Sequence, residues 1–277
     1  MKIGDNTLDL NSPVVMTIVN VTGDSFFAGS RTNTDDAIEK RVIEAVNRGA
    51  SIIDVGGYSS RPGADDVPAE EEIRRVMQGV KAVRSVSEKT VISIDTFRSE
   101  VAEAVISRYG ACIINDITAS EADPAIADVA AKYGVPFIAM HSKGTPKTMQ
   151  TLTQYDDIVA DIKDFFAAKL SFLRGRGIKD IILDPGFGFA KTTEQNYRLL
   201  AHMDTLKEFG CPVLAGISRK SMIYKVLDTT PENALAGTTA LHWECLLRGA
   251  DILRVHDTQQ AMDTIRIFNY YKKQNDR

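Results

Sequence analysis

The fold is decided by residues 48–54, which read Arg-Gly-Ala-Ser-Ile-Ile-Asp. A glycine ends a helical pattern, a short apolar strand follows, and a polar residue closes the strand. The same arrangement recurs at residues 109–115, 177–184 and 248–254. The apolar runs do not alternate with polar residues, which is typical of parallel strands that are buried on both faces. The recurrence predicts a chain built from β/α units.

Four further apolar runs fill the gaps between these units and bring the number of predicted strands to eight. They lie at residues 14–19, 91–94, 136–140 and 212–215. Amphipathic helical patterns separate the strands, as in residues 73–83. Eight β/α units in 277 residues predict an α/β fold, a (β/α)8 TIM barrel. The alternative is a doubly wound open sheet, but no Gly-x-Gly-x-x-Gly follows the first strand.

The two ends of the predicted barrel differ in their connections. The first dozen residues are expected to form a short N-terminal β-hairpin that covers the barrel floor. Three strand-to-helix connections are long, at residues 23–32, 56–68 and 142–154. Long loops usually carry function, and in a barrel these three lie on the catalytic face. No linker or low-complexity segment divides the chain, so residues 1–277 are predicted to be a single domain.

Composition excludes several classes of protein. Hydrophobic residues make up 44% and charged residues 25%, as in ordinary globular domains. The net charge of −4 argues against nucleic acid as a partner, although a small anionic substrate remains open. The three cysteines have neither disulfide-framework nor zinc-site spacing. No apolar run approaches the ~18 residues of a membrane span, so we expect a cytoplasmic protein without a membrane partner.

Polar side chains stand at or just after the end of each predicted strand. They are Asn20, Asp54, Asp95, Asn115 with Asp116, His141, Asp184, Lys220, and Arg254 with His256. The carboxyl ends of barrel strands meet on one face, where active sites lie. One strand-end aspartate is more often a turn or cap residue. Capping, however, does not require acids and bases on the same rim, so the set predicts an active site.

The set divides into two chemical groups. Carboxylates and amides can accept hydrogen bonds from the N–H groups of a heterocycle, and those predicted here are Asp95, Asn115 and Asp184. The cationic group, suited to phosphate oxygens, consists of Arg61, Lys220, Arg254 and His256. Residues 218–221 also read as the opening of a helix, whose free N–H groups favour an anion. The rim therefore suits a flat heterocycle that bears a phosphorylated group.

Several single residues have a plainer reading that stays open. Asp54 could only orient a loop, and Asp116 could satisfy backbone donors after the fourth strand. Arg219 could be a surface charge. His202 and His242 lie within helical patterns and read as surface or packing residues.

With these motifs in order along the chain, the sequence resembles the dihydropteroate synthases, the pterin-binding TIM-barrel transferases of folate biosynthesis. The stretches that carry the resemblance are residues 20–26, 59–64, 93–96, 114–117, 140–141, 184–189, 218–221 and 254–257. They span nearly the whole chain, about one per strand. Each is short, and together they are specific.

The resemblance implies an activity, a cofactor and an assembly. The reaction would be the condensation of 7,8-dihydropterin-6-ylmethyl diphosphate with p-aminobenzoate, which yields 7,8-dihydropteroate and pyrophosphate. The cofactor would be Mg2+, with Asn20 as its ligand. The implied assembly is a homodimer through helices opposite the site.

The resemblance also implies roles for individual residues. Those expected to be catalytic are Asp95, Lys220, Arg254 and His256. The pterin would be held by Asp95, Asn115, Met140, Asp184 and Lys220. Arg254 and His256 would contact the diphosphate. The p-aminobenzoate would be framed by Ser60, Arg61, Pro62, Phe189 and Ser221.

The chain departs from the family pattern at Gly23, where the family usually has proline, and at Tyr58, where it often has an acid. These positions put loop ordering and p-aminobenzoate affinity in doubt, and not the pterin site. Two alternatives stay open. One is a methyltetrahydrofolate-binding barrel that serves a corrinoid methyltransferase, and the other is a pterin-binding relative without turnover.

Overall fold

The computed structural model describes residues 1–21, 35–58, 66–144 and 148–275. In these ranges eight parallel strands form one sheet, with β8 and β9 at its two edges. The strands are β3 (Val14–Asn20), β4 (Ile52–Gly56), β5 (Val91–Asp95), β6 (Ile113–Asp116), β7 (Phe137–Met140), β8 (Ile181–Asp184), β9 (Leu214–Ala215) and β10 (Ile252–Val255). A parallel bridge between Leu183 and Val213 joins the two edges. The sheet thus closes on itself, and the predicted (β/α)8 barrel is confirmed.

Helices surround the barrel in the described part of the chain. They are α1 (Asp35–Asn47), α2 (Ala69–Val86), α3 (Ser99–Tyr109), α4 (Ala125–Tyr133), α5 (Ile158–Gly175), α6 (Thr193–Ala201), α7 (Ser221–Tyr224), α8 (Leu235–Leu247) and α9 (Thr258–Asn275). Short 3-10 helices lie at Met149–Thr151, Met203–Phe209 and Pro231–Asn233. None of the described helices is long and apolar enough to cross a membrane.

The inner surface of the barrel begins with an apolar ring, which we call the floor layer. It takes one residue from each strand: Met16, Ile52, Val91, Ile113, Ile138, Ile182, Leu214 and Ile252. The hairpin of β1 (Lys2–Ile3) and β2 (Asn6–Thr7) closes this end, because Ile3 and Leu8 pack into the same cluster. The predicted N-terminal hairpin over the barrel floor is therefore confirmed.

The next inward-facing position on each strand lies two residues further along, because side chains alternate between the faces of a strand. These positions form the rim layer: Ile18, Asp54, Ser93, Asn115, Met140, Asp184, Gly216 and Arg254. Residues of the opposite parity, such as Ile53 and Val55, pack outward against the helices. At Gly79 of α2 an added Cβ would lie 2.5 Å from the Val55 side chain, so helix and strand approach closely.

Candidate active site

Arg254 is the electrostatic centre of the rim layer. Its Nε donates to Asp54 Oδ2 at 2.7 Å, and its Nη2 donates to Asp95 Oδ2 at 2.5 Å. Asp54 is fully buried and also accepts a hydrogen bond from Asn115 Nδ2 at 3.2 Å. Asp54 thus orients two neighbouring side chains, and not a loop as the plainer reading had it.

Burial shifts the protonation of this cluster. Desolvation raises the pKa of Asp95 to about 7, although the charge of Arg254 opposes the shift. Burial would lower the pKa of Arg254, but the carboxylates of Asp54 and Asp95 outweigh it and raise that pKa. Arg254 therefore stays protonated, while Asp95 can gain or lose a proton near neutral pH.

Asp184 and Lys220 form the opposite side of the rim. Asp184 Oδ1 accepts a hydrogen bond from the Gly186 amide at 2.8 Å. Lys220 Nζ donates to the Phe187 carbonyl at 2.5 Å and lies 4.6 Å from the centroid of the Phe189 ring. Burial lowers the pKa of Lys220 to about 8, against the opposing charge of Asp184. Lys220 is therefore a cation at neutral pH that loses its proton more readily than an ordinary lysine.

Two glycines leave open space between these charged groups. Gly216 occupies the rim-layer position of β9, and a Cβ there would lie 3.9 Å from both Asp184 Oδ2 and Arg254 Cβ. A Cβ at Gly56 would lie 3.3 Å from Asn20 Oδ1. The absent side chains leave room for a flat ligand ring, with the Asn20 amide oxygen near one side of it.

His256 follows Arg254 by two residues, as expected, but its electrostatic character differs from the prediction. Its Nδ1 lies 3.1 Å from Ser218 Oγ. Burial lowers the pKa of His256 to about 3, and the nearby charge of Arg254 lowers it further. His256 is thus neutral at pH 7, so the prediction of a histidine cation is wrong for this structure. With the Ser218 hydroxyl donating to Nδ1, the ring proton lies on Nε2, which makes His256 a hydrogen-bond donor.

Other predicted residues occupy less central positions. Met140 is buried at the end of β7, and Ser221 begins α7. Because α7 has a single turn, residues 218–221 do not open the longer helix that the sequence indicated. The residues Ser60, Arg61, Pro62 and Gly23 lie outside the described ranges. Tyr58 lies within them and packs edge-on against Phe97, with ring centroids 5.1 Å apart.

Three residues have structural partners away from the rim. His141 is buried, and its Nδ1 lies 3.0 Å from Lys191 Nζ. Asp116 accepts hydrogen bonds from the amides of Thr118 and Ser120, both at 2.7 Å, so its structural reading holds. His242 is buried within α8, where its pKa is lowered to about 4 by desolvation.

The sequence gave no sign that Arg219 and Lys191 are buried beside the site. Arg219 is 8% exposed, so the reading of a surface charge is wrong. It pairs in a bidentate manner with Asp257 at 2.8 and 2.9 Å, and donates to the carbonyls of Pro231 and Glu232. Its φ of 55° is left-handed, which sets the direction of the backbone just before Lys220. The one available signal was its position inside the Ser-Arg-Lys-Ser motif.

Comparison with known proteins assigns the chain to a family. The Pterin binding enzyme family matches residues 16–256. Dihydropteroate synthase of Escherichia coli is 41% identical over 263 residues, which is 94% of this chain and 92% of that protein. The Yersinia pestis dihydropteroate synthase, solved with a sulfonamide drug, superposes with a TM-score of 0.94 at 37% identity and covers 99% of both chains.

A third relative is the Xanthomonas albilineans dihydropteroate synthase, solved with 4-aminobenzoic acid. Its TM-score is 0.87 at 38% identity, over 96% of this chain and 95% of that one. These relatives share the barrel from the hairpin to the last helix. The chain belongs to the pterin binding enzyme family and, within it, to the dihydropteroate synthases.

Proposed function

We propose that this chain condenses 7,8-dihydropterin-6-ylmethyl diphosphate with p-aminobenzoate to give 7,8-dihydropteroate and pyrophosphate. The observation that carries the proposal is the division of the rim around Gly216. Asp184 and Lys220 lie on one side, Arg254 with Asp95 lies on the other, and a ring-sized space is left between them. Family membership and the 4-aminobenzoic acid held by the Xanthomonas relative support the same reaction.

The pterin is proposed to bind to the buried acids and amide of the rim. Asp184 has one oxygen on the Gly186 amide, and its other oxygen faces the Gly216 gap, where it can accept a ligand N–H. Asn115 is held by Asp54, so its carbonyl oxygen keeps a fixed direction. Lys220 supplies N–H donors for a ring carbonyl. Met140 would pack against the face of the ring. Fixed polar partners in a dry site discriminate strongly against ligands that cannot match them.

The leaving diphosphate is proposed to meet Arg254 and the Nε2–H of His256. In this family the C–O bond to diphosphate breaks largely before the amine attacks, which leaves a methylene cation stabilised by the pterin. Such a step depends on charge stabilisation by groups that are already oriented, more than on a general base. Arg254 is oriented by two carboxylates before any ligand arrives. The ionised form of Asp95 would favour the cationic pterin.

Mg2+ is proposed to arrive together with the diphosphate. No three His, Cys, Asp or Glu side chains within the described ranges form a cluster suited to a metal ion. Mg2+ keeps several waters and commonly binds through one or two protein oxygens plus substrate phosphates. The amide oxygen of Asn20, beside Gly56 and Asp95, fits that pattern. When bound, the ion would neutralise charge on the leaving group.

The p-aminobenzoate is proposed to bind next to the pterin, between Phe189 and Ser221. Phe189 presents its ring beneath Lys220, and Ser221 follows Lys220 directly. The remaining expected contacts, from Ser60 to Pro62, lie outside the described residues.

The decisive experiment is a pyrophosphate-release assay with and without p-aminobenzoate and Mg2+. We expect release that requires all three of pterin diphosphate, p-aminobenzoate and Mg2+. A corrinoid-linked barrel would bind methyltetrahydrofolate and release no pyrophosphate. A pterin-binding relative without turnover would bind 6-hydroxymethylpterin in calorimetry and release none either.

A homodimer is also proposed, through α8 and α9. Large apolar side chains are exposed on these helices, including Ile267 at 63% and Tyr271 at 51%, and Trp243 lies between them and the core. Contiguous exposed apolar surface commonly marks a protein–protein interface. Sedimentation velocity should show a dimer for the native chain and a shift toward monomer for Ile267→Asp. An unchanged dimer would exclude this face.

The proposed compartment is the cytoplasm. Cys112, Cys211 and Cys245 are all free and buried, as suits a reducing environment. Cell fractionation tests this assignment.

A further inference from the structure

The loop between β8 and α6, residues 185–192, has an unusual backbone. Gly186, Gly188 and Ala190 all have positive φ, at 67°, 81° and 50°. The Phe189 amide donates to the Gly186 carbonyl at 3.1 Å, which closes a tight turn. A left-handed alanine is strained and persists only where its surroundings hold it in place. The loop therefore depends on contacts from outside its own backbone.

Lys191 makes those contacts from within the turn. The side chain is 6% exposed, and its Nζ lies 2.9 Å from the Gly186 carbonyl and 3.0 Å from the Phe189 carbonyl. The same nitrogen lies 3.0 Å from His141 Nδ1 and 3.4 Å from the His141 carbonyl. Burial lowers the pKa of Lys191 well below its usual value. Both protonation states keep at least two N–H donors, which suffice for the two loop carbonyls.

The outer side of the same turn contacts the candidate active site. The Gly186 amide donates to Asp184, the Phe187 carbonyl accepts from Lys220, and the Phe189 ring lies under the Lys220 amine. The turn is thus held between two lysine amines. Lys191 binds its carbonyls from the inside, and Lys220 binds the one between them from the site.

We propose that Lys191 is a positioning residue for the pterin site, which acts by fixing the turn that orients Asp184, Lys220 and Phe189. The inference rests on the proposed function for its kinetic readout. It does not require Lys191 to touch a substrate.

The geometry explains why one side chain would have this effect. Gly186 cannot be replaced as a brace, because a Cβ there would lie 1.9 Å from the His141 carbonyl. Without Lys191 the Gly186 and Phe189 carbonyls lose a partner in a buried setting, which is costly. Asn196 still holds the Gly188 amide at 2.7 Å, and Tyr155 still holds the Ala190 carbonyl at 3.0 Å. The turn is therefore expected to loosen without unfolding.

The test is Lys191→Met, compared with Leu199→Ala as the control. Leu199 is a buried core residue of α6, so its truncation destabilises the same helix without removing a loop contact. We expect Lys191→Met to lower kcat/KM for the pterin diphosphate about 100-fold, as a small misplacement of binding groups does. Its Kd for 6-hydroxymethylpterin should rise in parallel. The control should lose thermal stability but keep near-native kinetics and pterin affinity.

Two further readouts separate positioning from a general loss of stability. Amide hydrogen exchange across residues 185–190 should accelerate in Lys191→Met and not in Leu199→Ala. Lys191→Arg, which keeps N–H donors for the same carbonyls, should recover most of the lost affinity.

Certain results would overturn the inference. One is a Lys191→Met enzyme whose pterin affinity and kinetics match those of Leu199→Ala. If Lys191→Met does not fold, Lys191→Gln, with a single amide group in place of the amine, is judged by the same comparison. If the native chain releases no pyrophosphate, the proposed function fails, and Lys191 is then judged by pterin affinity and hydrogen exchange alone.

Discussion

The floor layer and the rim layer of the barrel come from the same eight strands, two residues apart, yet they differ completely in character. The floor contains only apolar side chains, and each buried one stabilises the fold by about 1.5–3 kcal/mol. The rim contains two carboxylates, an amide and a guanidinium in nearly the same degree of burial. Burying such groups opposes folding unless they are paired. One layer therefore specifies the barrel, and the other uses that stability to hold charges in place.

The largest effect should come from removing a rim cation. Lys220→Ala is expected to lower kcat/KM by about 100-fold or more, because a charge-assisted contact in a buried site is lost. The melting temperature should change by only a few degrees, since the residue is followed by a single helical turn and contributes little packing. The matched control is Lys225→Ala, an exposed lysine five residues later. Wild-type turnover in Lys220→Ala would remove this residue from the site.

A smaller effect is expected from a nearly isosteric change on β8. Asp184→Asn should weaken binding of 6-hydroxymethylpterin by about 10-fold or more, because an amide offers one acceptor and one donor where two acceptors are needed. The amide would also face the Gly186 N–H, which requires an acceptor. Calorimetry measures the change directly. Unchanged affinity would mean that the heterocycle binds elsewhere.

The rim should also respond to pH, whereas the floor contains nothing that titrates. The pKa of Lys220 is lowered to about 8, so the lysine is protonated below that pH and loses its charge above it. The value of kcat/KM for the pterin should therefore fall above pH 8, approaching about 10-fold per unit. In Lys220→Arg this limb should disappear, because guanidinium stays protonated. A limb that persists in the arginine variant would assign the titration to another group.

The smallest kinetic effect should come from the floor layer itself. Ile182→Val changes the residue two positions before Asp184 and should lower the free energy of unfolding by about 0.5–1.5 kcal/mol. Because Ile182 packs only in the floor cluster, kcat and KM should remain native. Denaturant unfolding and steady-state kinetics on one preparation test both points. A clear loss of pterin affinity would show that the two layers are coupled.

The sequence allowed the strands and most of the rim to be predicted, because both depend on short-range patterns. A buried parallel strand is an apolar run, and the residue that closes it faces the catalytic end of the barrel. The roles of Lys191 and Arg219 could not be read in the same way. Their partners are mainly backbone carbonyls and Asp257, whose directions depend on left-handed residues in the loops.

Charge states were the other quantity that the sequence could not supply. His256 stands at the predicted place, but its neutrality follows from burial next to Arg254. The length of α7 was also misjudged, because the chain turns through Asp228 at φ 48° soon after Tyr224. In each case the deciding contact is distant in sequence or belongs to the backbone.

The order of charges along the chain has a consequence for synthesis. The acids and amide of the rim lie on β4, β5, β6 and β8, whereas Lys220 and Arg254 come after β9 and on β10. A nascent chain that has not yet emerged past residue 254 contains Asp54 and Asp95 without the cation that pairs them. Like charges repel strongly where water is excluded, so a partial barrel is penalised while it waits on the ribosome. The last strand brings both the missing sheet edge and the missing counter-charge, and barrel closure and charge neutralisation become a single late event.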